Sequence, residues 1–452
     1  MWERAGRSGI VVALSAVLVV TGQTPAGADE PSGPTSPSAA PAAAEPSVTW
    51  PAPTVQTEVA RGLELVATTD GVDPSTTAVV VERRAADQDV WDAVASRTDG
   101  ARVTVAVPGE PATYRARLVR DEQTIATATT AVTTRPARTK ADLTLPRSVR
   151  DYSKVTAKVT WRRLFDGVGP SGTAVLEYKP TRTAKYRTRA RIRVVSGAGS
   201  FRFPPRNDGW YRVRIPTSNQ RLAPSASGRR WIDNRPPGKA VALPKGSPRP
   251  TYRVPKQTRA TRIGADARIS PISARVWRSM KGRSWHRGCP VGRGDLRVVR
   301  VSYWSYDGYV RRGEIVVNRS VARRTARVFT DLFKRRTPIR SMYRVDRFGW
   351  SRSLKGADDV RSMRAGNTSG FNCRQVVGNT GVRSPHSYGR SIDINPWENP
   401  YWAGRWYPNS WWHSRSRPAN VTWRSHSDPV VRIFRKHGFG WLGVFDLHHF
   451  QD

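Results

Sequence analysis

At 452 residues the chain is too long for one ordinary hydrophobic core, and two to four domains are expected. Its 76 Lys and Arg against 35 Asp and Glu give a net charge of +41 and a pI near 11.4, which suits a polyanionic surrounding. The basic residues are spread along the whole chain and no nucleic-acid motif occurs, which argues against a dedicated nucleic-acid module.

The chain opens with Arg4 and Arg7, an apolar run from Ile10 to Val20, and Ala26-Gly27-Ala28 before Asp29. That order predicts a secretory signal over residues 1–28, with a retained signal anchor as the alternative. The apolar run falls short of the roughly 20 residues a bilayer span needs, and no later segment is apolar enough. The mature chain is therefore expected to be secreted or cell-wall associated, without a transmembrane span, and monomeric. Residues 29–50 are Pro, Ser, Ala and Glu with few large apolar side chains, a composition that predicts a flexible linker.

From 51 to 135 short alternating runs appear at Leu63–Val66, Ala78–Glu82, Val103–Val107 and Tyr114–Val119, punctuated by Gly, Asp and Pro. Residues 140–234 repeat the texture with Lys154–Trp161, Thr173–Tyr178, Arg189–Val195 and Trp210–Ile215. Period-two strands with regular turn signals predict two all-β, immunoglobulin-like sandwiches in tandem, with one larger β domain as the alternative. A faint echo joins Ala112-Thr113-Tyr114-Arg115-Ala116-Arg117 to Gly209-Trp210-Tyr211-Arg212-Val213-Arg214. Spacing or wall attachment is the expected task of both modules. Residues 235–262, rich in Pro and basic side chains, read as a second linker.

The composition changes at about 263. All seven histidines lie beyond position 285, and Ser320–Arg335 places Val321, Thr325, Val328, Phe329 and Leu332 on one helical face. Asp428–Lys436 does the same with Val430, Val431 and Phe434, while Ser391–Ile394 alternates as a strand. The segment 263–452 therefore predicts an α+β domain with a small antiparallel sheet. It also holds both cysteines, Cys289 and Cys373. An isolated pair in an exported protein predicts one disulfide, and without C-x-x-C spacing thiolate metal ligation is the poorer alternative.

Chemistry concentrates in Ser384-Pro385-His386-Ser387-Tyr388-Gly389-Arg390-Ser391-Ile392-Asp393 and in Asp446-Leu447-His448-His449-Phe450. Two imidazoles and a carboxylate suit zinc with one coordination position left for water, and a further carboxylate can take that water's proton. These residues resemble the S-x-H-x-x-G-x-A-x-D and D/E-x-x-H-F patterns of the zinc peptidase family of D-alanyl-D-alanine carboxypeptidases and dipeptidases. That family also contains the L-alanyl-D-glutamate endopeptidases of phage lysins. The likeness extends over about 270–452 through Gly288–Val291, Val301–Trp304, Gly313–Asn318, Asn367–Arg374 and Asp393–Pro396.

The resemblance implies zinc held by His386, Asp393 and His449, with Asp446 as general base and Arg374 facing the substrate. Ser384 and Tyr388 are expected at the substrate, and the aromatic cluster Trp397–Trp412 is a candidate cleft wall. If 446–450 is extended, successive side chains alternate and His448 points away from the metal. Ser391 stands where the family usually has alanine. Trp441–Phe445 differs from the usual W-G-G-x-W, and Gln451 stands where glutamate often follows. The implied substrate is the peptidoglycan stem peptide, cut at a terminal D-alanine or between L-alanine and D-glutamate, with anionic wall polymers as further partners. The rival reading is a non-catalytic wall-binding protein that works through its β modules.

Overall fold

A computed structural model describes residues 44–98, 102–217 and 220–452. The expected signal segment and most of the first linker lie outside these residues. Among the described residues no helix is long and apolar enough to cross a membrane.

The first module contains β1 (Ser47–Thr49), β2 (Thr54–Glu58), β3 (Leu63–Asp70), β4 (Ala78–Ala85), β5 (Asp92–Arg97), β6 (Arg102–Val107), β7 (Ala112–Arg120) and β8 (Gln123–Arg135). They form a three-stranded sheet in the order β1-β3-β6 and a five-stranded sheet in the order β2-β8-β7-β4-β5. Strand alternation puts Val103, Val105 and Val107 of β6 inside, together with Tyr114, Ala116 and Leu118 of β7. β1 falls within the stretch expected to be a linker, where Ser47–Thr49 pair antiparallel with Thr68–Asp70.

The second module repeats the plan with β9 (Thr139–Thr144), β10 (Ser148–Arg150), β11 (Val155–Arg163), β12 (Gly172–Lys179), β13 (Arg187–Val194), β14 (Ala198–Phe203), β15 (Gly209–Ile215), β16 (Ser225–Ala226) and β17 (Arg230–Arg235). Its sheets run β14-β11-β9 and β10-β17-β15-β12-β13, with β16 beside β15.

The sequence echo is a structural repeat. On β4 Glu82 stands opposite Arg115 of β7, and its carboxylate accepts from Arg115 Nε at 2.6 Å and Arg117 Nη2 at 2.8 Å. On β12 Glu177 stands opposite Arg212 of β15 and accepts from Arg212 Nε at 2.8 Å and Arg214 Nε at 3.1 Å. In both modules the pairing of the glutamate strand with its other neighbour slips one step at the glutamate itself.

The stretch 236–262 lies along the C-terminal domain. Buried Gln257 donates to the Met342 carbonyl at 2.7 Å and accepts from Tyr303 Oη at 2.7 Å, while Trp397 Nε1 donates to Pro248 O at 2.9 Å.

The C-terminal domain is mixed α and β. A long hairpin of β19 (Leu296–Ser305) and β20 (Val310–Asn318) carries β18 (Arg268–Pro271) and β21 (Pro338–Ile339) along one edge of β19. Helix α1 (Ala274–Met280) is capped by Ser273; α2 (Ala322–Lys334), α3 (Asp359–Arg364) and α4 (Pro429–Lys436) follow. The predicted helical face holds. Thr325, Val328, Phe329 and Leu332 of α2 and Val430, Val431 and Phe434 of α4 are all buried in the domain core. Val299, Val301, Ile315 and Val317 of the hairpin share that core. A second sheet, small and antiparallel, joins β22 (Ser391–Asp393), β24 (His449–Gln451) and β23 (Gly440–Trp441) in the order β22-β24-β23. Its register sets Asp393 opposite His449. Ile392 and Phe450, also paired, root this sheet in the same core.

Candidate metal centre

The two halves of the motif meet because β22 and β24 are neighbours. Paired residues across an antiparallel ladder bring their side chains within reach, and Asp393 Oδ1 lies 3.0 Å from His449 Nδ1. His386 arrives from the 3₁₀ turn Pro385–Tyr388, which Ser384 caps by accepting from the His386 N–H at 3.3 Å. Gly389 closes that turn at φ +72°, and any Cβ there would stand 2.8 Å from the Asn318 nitrogen, so only glycine fits without a backbone shift. His386 Nε2 then lies 3.1 Å from Asp393 Oδ2 and 3.1 Å from His449 Nδ1.

The proton positions decide whether these atoms can hold a metal. His386 Nδ1 faces the Gly370 carbonyl at 2.7 Å, and His449 Nε2 faces Gln451 Oε1 at 3.3 Å. Each oxygen accepts in the tautomer that carries the proton on the outer nitrogen, and in that tautomer each ring turns a lone pair inward. Two lone pairs and a carboxylate therefore converge, with one ligand atom from each residue within 4.8 Å of the others. Ligand atoms about 2.0–2.1 Å from a tetrahedral ion stand about 3.3 Å apart, close to the spacing found. The residues fit zinc. Burial alone would raise the Asp393 carboxyl, but His386 and His448 beside it hold it well below the usual range, as an anion.

Asp446 and His449 belong to one turn, closed by the His449 N–H donating to the Asp446 carbonyl at 3.3 Å. The indoles of Trp423 and Trp441 both donate to Leu447 O, at 2.5 and 3.0 Å, and pin the turn in place. Asp446 Oδ1 is buried without a hydrogen-bond partner. Burial pushes its carboxyl above the ordinary aspartate value, against the pull of His448 and His449.

The turn also corrects the expected orientation of His448. Residues 447 and 448 form a turn, so strand alternation does not govern them, and His448 is buried. Its Nδ1 lies 2.7 Å from Asn399 O and its Nε2 3.5 Å from Asp446 Oδ1. That Nε2 also lies 3.7 Å from Asp393 Oδ1, so a lone pair of His448 faces the site as well. It is His449, whose ring nitrogen lies 3.0 Å from Asp393 and 3.1 Å from His386, that groups with them closely enough to share a metal.

A cavity of ≈ 360 Å³ opens over these groups, lined among others by Arg374, Ser384, Tyr401, Phe445 and Asp446. Arg374 is buried there, its Nη2 2.7 Å from Asp359 Oδ2 and its Nε without a hydrogen-bond partner. Tyr388 does not line the cavity. The residue is 48 % exposed, and its carbonyl accepts from Asn318 Nδ2 at 3.1 Å. Of the aromatic cluster only Tyr401 lines the cavity, while Trp397 and Trp412 serve the interior. Cys289 and Cys373 are joined in a disulfide with Cα atoms 5.9 Å apart, which leaves no thiolate for a metal. The bond tethers the residue before Arg374.

Two functional neighbours escape the sequence motif. Asp359 opens α3 and has no motif of its own, because only the fold brings it to Arg374. Gln451 is legible in retrospect, since position i+2 on a strand shares the face of His449.

Residues 377–452 match the family model described as D-alanyl-D-alanine carboxypeptidase. The C-terminal domain belongs to that peptidase family. The matched segment carries His386, Asp393, Asp446 and His449, whereas Asp359, Arg374 and both cysteines precede it. No curated protein matches the chain. The C-terminal domain is thus a peptidase-family hydrolase fold joined to two β modules.

Proposed function

We propose that the protein is an exported zinc peptidase that cuts peptidoglycan stem peptides. The observation that carries this reading is the convergence of two imidazole nitrogens and an anionic carboxylate beside Asp446, whose buried Oδ1 accepts no hydrogen bond, in an open cavity. His386, Asp393 and His449 hold the metal. Zinc bound there supplies a Lewis acid that polarises the scissile carbonyl and acidifies an attacking water.

The chain's own residues do the rest. Asp446 is the base: its Oδ1 takes the proton from water as the oxygen attacks the carbonyl carbon. The same carboxyl returns that proton to the amine nitrogen as the C–N bond breaks. Its raised proton affinity suits a group that must hold a proton between two steps. Arg374 lines the cavity, where a guanidinium serves either a carboxylate or the developing oxyanion. Ser384 acts through the backbone by holding the turn that aims His386.

Digestion of purified peptidoglycan followed by mass spectrometry of the released fragments tests the reading. Loss of a terminal D-alanine identifies a carboxypeptidase, and new D-glutamate amino termini identify an endopeptidase. Intact stem peptides after treatment with folded, zinc-loaded protein would reject both.

A further inference from the structure

The repeat between the β modules makes their differences informative. Aligned on the glutamate ladder, Tyr114 of β7 corresponds to Tyr211 of β15, so Thr113 occupies the place of Trp210. Across the sheet, Thr113 faces Ala131 in the first module, whereas Trp210 faces Trp231 in the second. The same scaffold thus carries two small residues in one copy and two indoles in the other. The core does not require the indoles, because the first module folds without them at these positions.

Both indoles stand on the outer face of the sheet. Their ring centroids are 5.2 Å apart at 63°, and Trp231 remains 40 % exposed. Exposed aromatic surface of this size, set in a polar rim, marks a contact site rather than packing. The surroundings are cationic. The guanidinium carbons of Arg182 and Arg229 lie 6.0 and 5.8 Å from the Trp210 ring. Beside Trp231 a depression of ≈ 460 Å³ is lined by Thr144, Leu145, Arg147, Arg229, Arg230 and Trp231, with no carboxylate among them. Arg147, Arg182 and Arg229 form no ion pair among the described residues.

We propose that this face of the second module binds a carboxylated polysaccharide. Sugar rings present flat C–H faces that pack on half-exposed indoles, and sugar carboxylates match guanidinium forks. Single-stranded nucleic acid also combines stacking with basic side chains. The family placement of the C-terminal domain, which directs the chain to cell-wall material, favours the polysaccharide. The inference uses that placement alone and stands apart from whether the metal centre is active.

The test is affinity electrophoresis of the full chain through gels containing polygalacturonate, neutral dextran, polyphosphate or oligo-dT at one fixed ionic strength. Polygalacturonate should retard the protein most. Trp231→Ala should weaken that binding about tenfold, the scale of one lost aromatic contact. Arg229→Ala should weaken it similarly, and Trp231→Phe should restore most of it. Circular dichroism of each variant separates lost binding from lost folding, and peptide hydrolysis by Trp231→Ala should equal that of the parent. Unchanged retardation of a folded Trp231→Ala protein overturns the proposal. So does equal retardation by polyphosphate, which has no sugar face, or tighter Trp231-dependent binding of oligo-dT.

Discussion

The β modules and the C-terminal domain partner their buried charges differently. In the modules each buried carboxylate is tied to partly exposed arginines, as in the Glu82–Arg115–Arg117 and Glu177–Arg212–Arg214 ladders, beside cores of Val, Ala, Leu and Tyr. In the C-terminal domain His386, Asp393, His449 and Asp359 are each at most 4 % exposed. Burying ionisable groups costs free energy even when they are paired, so such a cluster is poorly explained by stability. The modules pair buried carboxylates with partly exposed arginines, and the C-terminal domain gives up stability to gather histidines and carboxylates into one site.

The comparison breaks most visibly at the metal ligands. His386→Ala and His449→Ala should each remove the metal and all hydrolysis, with metal content read by atomic absorption. His448→Ala should retain it, because His448 lies outside the group of His386, Asp393 and His449 whose ligand atoms converge. A metal-free His448→Ala protein beside a metal-loaded His449→Ala protein would reverse the assignment.

The next effect separates binding from chemistry. Asp446→Ala should keep its metal while turnover falls by roughly 10²-fold or more, the scale of a lost positioned base. Near-parental turnover in that metal-loaded variant would remove Asp446 from the mechanism.

Asp359 sharpens the contrast within the site. Asp359→Asn leaves Arg374 without its buried anionic partner, so KM should rise severalfold while metal content stays constant. Steady-state kinetics with Asp359→Glu as the conservative control distinguishes a positioning role from general destabilisation, since Asp359→Glu should recover most of the loss.

The smallest effect belongs to the modules. Glu82→Gln should cost no more than about 1 kcal/mol, because a partly exposed ladder is screened by solvent. Burial opposes ionisation of Glu82, but the hydrogen bonds from Arg117 and Arg115 outweigh it and lower its pKa below 4.5. Its contribution is therefore present at neutral pH and disappears as pH falls through that lowered value. Thermal unfolding of parent and Glu82→Gln proteins should differ at pH 7 and converge in acid.

Legibility followed the same divide. The module strands were readable because alternating Val, Tyr and Thr between Gly, Asp and Pro leaves few other structures open. Helix α2 was readable from Val321 to Leu332 by its single apolar face. The proposed ligand set was legible as a pattern, but the surroundings that suit it to a metal were not. The Gly370 carbonyl that fixes the tautomer of His386 lies 16 residues away, and the partners that bury His448 come from another loop. Asp359 and the tryptophan pair were hidden for a related reason: each gains meaning only from a partner that the fold supplies.

The account's central claim is that three buried side chains of the C-terminal domain hold the metal that makes it a peptidase. Titrating zinc into chelator-stripped protein while following hydrolysis of peptidoglycan stem peptides tests it most directly. Activity should rise from zero in proportion to added zinc and level off at about one equivalent per chain, as a single three-ligand site requires. Full activity in the stripped protein, or activity that ignores the first equivalent, would contradict the account.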